Sequence, residues 1–358
     1  MIFQRALLRE FAGLAGAVFM TLFVIALTTQ LVRLLGRAAG GQVPSDAVVA
    51  FLGFFALGAL PILLSLTMFI SVLMTLTRGW RDSEMVIWFS SGLSLASWLK
   101  PVMLFALPQI ALIAALSLII SPWAAQMAGQ YAKRLESRDD VSRVTPGVFG
   151  ETSNKDRVFF VESVSGDSSG VQNVFVASAR DKRVSVSMSR SGHTELAENG
   201  DRFIVLEKGR RYEGVPGEAD FRVTEFDRYA ARIETRESAE PSTSPKALST
   251  ATLLADPTNT NLAELVWRIG IPVSSLVLAF LAIPMSFVNP RAGRSINLLF
   301  AVFTYIVYNN LLSVSQARVA QGRLDFALGS WLVHAGMVVL LVVMFAQRMQ
   351  LIRWRIGR

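Results

Sequence analysis

Long apolar stretches dominate the chain, and one long polar stretch interrupts them. A bilayer core about 30 Å thick requires about 20 helical residues, and six segments satisfy that length with few charges. They are residues 11–32, 48–76, 98–121, 265–288, 296–316 and 328–346. The pattern predicts an α-helical membrane protein with six transmembrane helices, three on each side of a polar insert.

The period of the apolar residues changes inside this insert. Apolar residues and serines alternate over Val184–Ser189, and apolar and polar residues alternate over Phe221–Thr224. A period of two is typical of β-strands, and turn signals such as Asn199-Gly200 separate the segments. Several short strands at this spacing predict an all-β sandwich, jellyroll or open barrel. The predicted domains are residues 1–121, residues 122–262 with a Ser- and Pro-rich linker at 236–261, and residues 263–358.

Composition and charge agree with a membrane protein. Only 17% of the 358 residues are charged, whereas soluble domains carry about 25%. The absence of cysteine excludes disulfides and cysteine-based metal sites. Residues 122–262 carry 19 Lys and Arg and 21 Asp and Glu, and the rest of the chain carries 16 and 6. The basic excess therefore lies beside the apolar segments, where it indicates membrane orientation rather than nucleic-acid binding.

Lys and Arg in the short loops predict the orientation. One set of flanks carries eleven of them, namely Arg5, Arg9, Arg78, Arg81, Lys100, Arg291, Arg294, Arg348, Arg353, Arg355 and Arg358. The opposite loops carry four, namely Arg33, Arg37, Arg318 and Arg323. The richer side is expected in the cytoplasm. Both termini are then cytoplasmic, and the insert faces outward, which is the periplasm if the cell is Gram-negative.

A short apolar helix is predicted at about 81–92, between the second and third spans. Asp82 or Ser83 is suited to cap its start, and Gly92 is suited to end it. Two interpretations of its apolar residues stay open at this point. The helix is either a coupling helix seated in a groove of a cytoplasmic ATPase, or an interfacial helix with Trp80 and Trp88 at headgroup depth.

The four arginines on the outward side run against the orientation bias. Guanidinium groups pair bidentately with phosphate, so these residues suit an anionic lipid head. The alternative is that they extend toward ordinary phospholipid headgroups. Glu264 and Arg268 have the spacing of a helical ion pair, which is interpreted as structural.

Enzyme chemistry finds no support in the sequence. It contains no phosphate-binding G-x-x-x-x-G-K-[ST] loop, and no catalytic or metal-binding residue is predicted. Of the two histidines, His334 lies in a span and is interpreted as a buried packing residue rather than a proton relay. A secondary transporter is an alternative, but it requires ionisable residues at mid-span, which are nearly absent. A membrane-anchored periplasmic scaffold is another, but it requires only one or two spans.

A series of short motifs, in order along the whole chain, resembles one protein family. The motifs are M-I-F-Q-R at the start, Gln30–Gly36, Asp82-Ser-Glu84 with Gly92-Leu-Ser94, Phe160–Val164, Arg211–Gly214, Asp220–Phe226, Ala263–Arg268 and Asn289–Arg294. The family is that of the lipopolysaccharide export permeases, and the chain resembles its LptF-like subunit.

The resemblance implies a non-catalytic subunit of an ABC-type lipopolysaccharide transporter. It implies a heterodimer with a paralogous permease subunit, driven by a homodimeric cytoplasmic ATPase that holds the ATP and Mg, with no cofactor on this chain. Lipopolysaccharide would enter a cavity between the permease subunits from the outer leaflet of the inner membrane. It would leave through periplasmic jellyrolls, namely the insert, a single-span jellyroll protein and a soluble bridge protein.

The resemblance also implies roles for particular residues. Arg33 matches a basic residue at the cavity mouth, and Gln30 replaces a second positive charge of relatives. The expected lipopolysaccharide-binding residues are Arg33, Arg37, Arg318 and Arg323. The expected ATPase-coupling residues are Asp82, Ser83, Glu84, Met85 and Trp88. The expected jellyroll lipid path, whose face the sequence does not assign, comprises Phe159, Val161, Val174, Val176, Phe203, Val205, Phe221 and Val223.

Overall fold

The structure is a computed structural model of the full chain. It describes residues 2–40, 43–142, 147, 149–151, 157–164, 170–180, 183–196, 202–215, 221–234, 244–287 and 296–349. Two compact units result, one of Met1–Ala128 with Ser242–Arg358 and one of Gly129–Pro241. We call them the helical unit and the insert.

The helices follow the apolar segments of the sequence. They are α1 (Ile2–Ala39), α2 (Val48–Arg81), α3 (Glu84–Ser90), α4 (Leu99–Ala115), α5 (Ser121–Ser142), α6 (Thr250–Ala255), α7 (Asn259–Met285), α8 (Ile296–Ala320) and α9 (Phe326–Arg348). A π-helical segment, Leu116–Ile120, joins α4 to α5 without a break. Single 3₁₀ turns occupy Ser45–Ala47, Leu95–Trp98 and Pro245–Ala247.

Six helical stretches in the described part of the chain are long and apolar enough to cross a membrane. They are Arg5–Ala39, Ser45–Arg81, Leu95–Leu135, Asn259–Met285, Leu298–Ala320 and Phe326–Arg348. The six predicted transmembrane helices are therefore confirmed. Most are longer than their apolar segments because a helix continues into the polar flanks. Below, the "α3 end" is the end of the bundle that carries α3, and the "insert end" is the end where the chain leaves for the insert and returns from it.

Side-chain caps start three of the helices. The hydroxyl of Ser249 accepts the N–H of Thr252 at α6, and the hydroxyl of Thr258 accepts the N–H of Asn261 at α7. The carboxylate of Asp325 accepts an N–H at the start of α9. Each cap satisfies a backbone donor that lacks a partner within its helix.

Helix α7 lies at the centre of the helical unit, where it packs on α2, α4, α8 and α9. Leu278 and Leu281 on α7 are fully buried and share one core with Phe69 and Leu73 of α2. The hydroxyl of Ser275 on α7 donates a hydrogen bond of 2.8 Å to the hydroxyl of Ser65 on α2. Small and polar contacts of this kind hold helices together where apolar surface alone cannot distinguish neighbours from lipid.

The insert contains the predicted β domain. Its described strands are β1 (Phe149–Glu151), β2 (Arg157–Val164), β3 (Gly170–Arg180), β4 (Arg183–Leu196), β5 (Arg202–Gly214) and β6 (Phe221–Glu234). They form one antiparallel sheet in the order β1-β2-β3-β4-β5-β6, so each strand pairs with its neighbours in the chain. This sequential order is that of a meander, a simpler connection than the paired Greek keys of a jellyroll.

The alternation of side chains between the two faces of the sheet is interrupted along one row of residues. Asn173 on β3 and Lys208 on β5 have positive φ angles of 47° and 51°, a conformation that residues other than glycine rarely adopt. Next to Lys208, a Cβ on Gly209 would lie 2.5 Å from the ring of Phe226 and 2.3 Å from the carbonyl oxygen of Met188. Glycine is therefore required where this aromatic ring crosses the strand.

The limits of the insert differ from the predicted residues 122–262. The third span continues through residue 121 into α5, because the π-helical segment Leu116–Ile120 joins the two helices without a break. On the other side, residues 244–261 do not form the predicted open linker. They form a 3₁₀ turn, α6 and the start of α7, all of which belong to the helical unit.

Candidate functional site

The segment around α3 reverses the chain between α2 and α4. Ser83 has a φ of 61°, a left-handed conformation that separates the end of α2 from the start of α3 at Glu84. After α3, Gly92 adopts a φ of 87°, which suits a glycine that ends a helix. The helix predicted at about 81–92 is thus a short helix, Glu84–Ser90, between two left-handed turns.

The exposed side of this segment combines acidic and apolar residues. The side chains of Asp82 and Glu84 are 47% and 50% exposed, and Ser83 is also exposed. Val86 and Ile87 are 61% and 68% exposed, although they are not among the expected ATPase-coupling residues. The limits of α3 in the structure were needed to show that both side chains are on its exposed side.

Met85 faces the opposite way, which corrects its expected place on a partner-facing surface. It is 4% exposed, and its Cε lies 3.3 Å from the point where a Cβ on Gly79 would stand. The missing side chain of Gly79 thus makes room for Met85 against α2. Trp88 is half-buried and packs on the same core, so these two residues fix α3 to the bundle.

A cluster of charges surrounds Arg78, near the end of α2. Its guanidinium bonds Glu10 of α1 at 2.6 Å. Asp82 lies 3.9 Å and Glu84 3.8 Å from the same guanidinium. The sequence analysis missed this cluster because Glu10 and Arg78 are 68 residues apart and no local pattern connects them.

Aromatic rings connect α3 to several helices at the α3 end. Phe89 of α3 contacts Trp98 at 5.4 Å and Trp80 at 5.5 Å between ring centroids. Trp80 in turn meets the ring of Phe287 edge-on at 4.7 Å. The guanidinium of Arg348, at the end of α9, lies 4.0 Å from the Phe287 ring centroid. Helix α3 thus contacts the end of α2 directly, and Trp80 and Phe287 continue the chain of contacts to Arg348 at the end of α9.

The four expected lipid-binding arginines are exposed at the insert end. Arg33 and Arg37 lie one turn apart near the end of α1, and Arg318 and Arg323 lie at and beyond the last turn of α8. Within the described residues none of the four forms an ion pair. The two pairs are not brought together in this single chain, because α1 packs mainly on α2 and α4.

Arg268 is buried and hydrogen-bonded to several groups within the helical unit. It is 2% exposed, and its Nε donates to Glu264 at 3.0 Å. Its remaining nitrogens donate to the Thr250 hydroxyl and to three backbone carbonyls, those of Pro245, Lys246 and Leu248. The same Thr250 hydroxyl donates to the carbonyl of Leu118 in the π-helical segment. The pair thus ties residues 245–250 to α7 and the third span, in agreement with its structural interpretation.

His334 is a buried residue between helices, as interpreted from the sequence. Its Nδ1 lies 2.7 Å from the hydroxyl of Tyr308, and it is 3% exposed. Its Nε2 lies 3.7 Å from the point where a Cβ on Gly270 would stand. The contact joins α8, α9 and α7 at one point, where the small residue permits close approach.

The expected lipid-path residues do not share one face of the sheet. Val174 is 2% exposed and clusters with Leu206 and Val176, and Val205 is 1% exposed. Val223 is 57% exposed. The strand register places it opposite Tyr212, on the face that Val174 does not share. The side chains of the remaining four, Phe159, Val161, Phe203 and Phe221, lie outside the described residues.

The face that carries Val223 holds a groove of about 800 Å³. Its apolar lining includes Phe175 and Met188, which pair across β3 and β4. Charged residues line its other part, and Arg210 bonds Glu225 there at 2.7 Å. The hydrogen bond that Arg210 donates to Glu225 raises the pKa of its guanidinium. The groove thus combines apolar and charged surface.

Comparisons with known proteins agree with this architecture. The family model described as lipopolysaccharide export system permease LptF/LptG matches residues 5–347. The lipopolysaccharide export system permease protein LptF of Escherichia coli (strain K12) is 30% identical over 348 residues, which cover 96% of this chain and 94% of that protein. The proteins of the same name from Escherichia coli O157:H7 and Shigella flexneri match to the same extent.

The match and the six apolar helices together identify a multi-pass inner-membrane protein with a role in lipopolysaccharide transport. A permease subunit is the transmembrane component of an export system rather than its catalytic one. The chain belongs to the LptF/LptG family of lipopolysaccharide export system permeases.

Proposed function

We propose that this chain is the LptF-like permease subunit of an ABC-type transporter that extracts lipopolysaccharide from the outer leaflet of the inner membrane. The α3 end and both termini lie in the cytoplasm, and the insert lies in the periplasm. The eleven Lys and Arg of the flanks on the α3 side support this orientation. The observation that carries the proposal is the exposed acidic and apolar surface of α3.

The chemistry of this surface favours a protein partner over the membrane surface. Val86 and Ile87 expose apolar area that a groove would cover. Interfacial helices are rich in Lys and Arg because the cytoplasmic leaflet is negatively charged. Helix α3 contains neither, and Asp82 and Glu84 flank its start. We therefore assign this surface to a homodimeric cytoplasmic ATPase, which holds the ATP and Mg.

The substrate site lies at the insert end of α1, opposite the α3 end. Arg33 and Arg37 are exposed there, one turn apart, and pair with the phosphates of lipopolysaccharide. Met20, Val24 and Ile25 on the same helix are also exposed, at 63%, 58% and 58%. This arrangement of charge above apolar surface is complementary to an amphiphile. A paralogous permease subunit completes the cavity, to which Arg318 and Arg323 contribute from α8.

The insert receives the lipid after extraction. Each CH₂ group transferred to water would cost about 0.8 kcal/mol, so acyl chains require a continuous apolar surface. Val223 with Phe175 and Met188 of the groove supplies part of it. The path continues into a single-span periplasmic jellyroll protein and a soluble bridge protein. No cofactor of this chain takes part.

The test reverses one charge on α3 in the full chain. Glu84→Arg should abolish co-purification of the ATPase, because a cation would replace an anion on the docking surface. Asp46→Arg is the matched control, since Asp46 is an exposed acidic residue at the insert end and the charge change is identical. Equal ATPase recovery from Glu84→Arg and from the unaltered chain, with both variants folded, would refute the docking assignment.

A further inference from the structure

Arg78 connects two parts of the molecule that the proposed function treats separately. It stands on α2, three residues before the end of that helix. Its closest partner is the carboxylate of Glu10 on α1, which lies 2.6 Å from the guanidinium. Its other partners, Asp82 and Glu84, belong to the α3 docking surface and stand at 3.9 Å and 3.8 Å.

These contacts are unequal, so the guanidinium is held by α1 and only loosely by the docking surface. Its Nε is buried, and among the described residues it has no hydrogen-bond partner. The Asp82 carboxylate lies 3.9 Å from that Nε, beyond hydrogen-bond distance. A small displacement of Asp82 would complete or break this contact. The side chains of Asp82 and Glu84 are also 47% and 50% exposed, so a second cation is able to reach them.

Glu10 stands at the point where α1 is attached to the bundle. The adjacent Phe11 is fully buried, and its ring lies 5.1 Å from that of Phe105. Only 6% of the apolar window of α1 is buried, and among the described residues of α1 only Phe11 and Leu34 are buried. Arg33 follows Glu10 by 23 positions, which corresponds to about 35 Å along a helix. A change at Glu10 therefore acts on the same rigid element that carries the proposed substrate arginines.

We propose that Arg78 is a positioning residue that communicates occupancy of the α3 docking surface to α1. The inference rests on the proposed function. Cationic groups of the ATPase that face Asp82 and Glu84 compete with Arg78 for these carboxylates and repel its guanidinium toward Glu10. ATPase docking thus strengthens the bond between α2 and α1, and release of the ATPase weakens it. Allosteric coupling requires such a contact that differs between two states.

The first experiment removes the charge of Glu10 in the full transporter. Glu10→Gln should leave co-purification of the ATPase unchanged, because Glu10 is not on the docking surface. Lipopolysaccharide released per ATP hydrolysed should fall at least about fivefold, the lower end of typical allosteric couplings. Asp46→Asn is the matched control, because it also exchanges a carboxylate for an amide, and Asp46 is an exposed acidic residue at the insert end. This control should leave the ratio unchanged.

The second experiment separates coupling from simple stabilisation. The double variant Glu10→Arg with Arg78→Glu restores an ion pair between α1 and α2, but it places a carboxylate beside Asp82 and Glu84. A structural pair would recover its function in this variant, whereas the proposed three-way contact would not. A release ratio restored to the level of the unaltered transporter would overturn the inference. If the double variant does not assemble, the ratio for Glu10→Gln decides alone.

The outcomes also distinguish this inference from the proposed function. An unaltered chain that does not recover the ATPase would refute the proposed function, and the inference with it. An unchanged release ratio in Glu10→Gln, with normal ATPase recovery, would refute the inference alone. Loss of the ATPase from Glu10→Gln would also refute it, because Glu10 would then belong to the docking surface.

Discussion

Helices α1 and α7 have similar mean hydropathies but opposite surroundings. The mean hydropathy of the apolar window is 2.2 in α1 and 1.9 in α7. Yet 6% of that window is buried in α1 and 72% in α7. The more apolar helix is thus the more exposed one. In a bilayer the lipid is as apolar as a protein core, so hydropathy predicts that a helix spans the membrane but not whether other helices surround it.

Small and polar residues distinguish the two helices. Ser274, Ser275 and Gly270 let α7 approach its neighbours closely, and their hydroxyls and backbone are buried. The glycines of α1, by contrast, have open space around them, as at Gly13 and Gly16. Helix α7 is therefore packed among its neighbours at the centre of the bundle. Helix α1 keeps an exposed flank that is available to lipid, substrate or a second permease subunit.

The largest expected effect is on the polar attachment of α7. Arg268→Met should destabilise the helical unit by about 3–5 kcal/mol, because it leaves the Glu264 charge buried without its cationic partner. It also removes the donors to the carbonyls of residues 245–248. Thermal unfolding in detergent measures this loss. A variant as stable as the unaltered protein would contradict the assignment of Arg268 as the residue that fixes this segment.

The second expected effect compares apolar side chains on the two helices. Leu278→Ala in α7 should cost about 2–5 kcal/mol, because Leu278 is fully buried and a cavity remains. Val24→Ala in α1 should change the free energy of unfolding by less than about 0.5 kcal/mol, since Val24 is 58% exposed. Denaturation of both variants in the same detergent gives the difference directly. Equal losses would show that α1 packs as tightly as α7.

The same contrast explains what could be predicted from the sequence of the helical unit. The six spans were predictable because length and hydropathy are local properties. The attachment of residues 244–250 was not, because it depends on Arg268 and Leu118, which lie far away in the chain. The Glu10–Arg78 bond was missed for the same reason. Alternation predicted the strands, and the family resemblance pointed to the segment around α3 as the proposed docking surface.

At the candidate sites, the sequence could not show which way each side chain points within its helix or strand. The apolar run of α3 did not show that Met85 points inward and Ile87 outward, because a helix of two turns has no clear period. In the insert, alternation identified Val174 and Val223 as strand residues, but only the register shows that they occupy opposite faces. The interrupted row at Asn173 and Lys208 has no signal in apolar periodicity.

The smallest effect on stability is expected at Arg33, where the effect on function should be large. Arg33→Glu should leave the free energy of unfolding within about 0.5 kcal/mol, because the residue is exposed and forms no ion pair among the described residues. Crosslinking of lipopolysaccharide to a photoreactive group at Val32 should fall sharply. Reversal of one charge near an anionic surface changes binding by about 2 kcal/mol, at about 1 kcal/mol per charge.

Arg9→Glu is the matched control for this last variant. Arg9 is an exposed arginine on the same helix, near its opposite end, so the substitution and the helix are identical and only the end differs. Crosslinking at Val32 should be unaffected by Arg9→Glu, because more than 30 Å of helix separates the two residues at about 1.5 Å per residue. Equal crosslinking in both variants and the unaltered chain would mean that Arg33 only contacts ordinary headgroups. The exposed flank of α1 would then be a lipid-facing surface and not a substrate site.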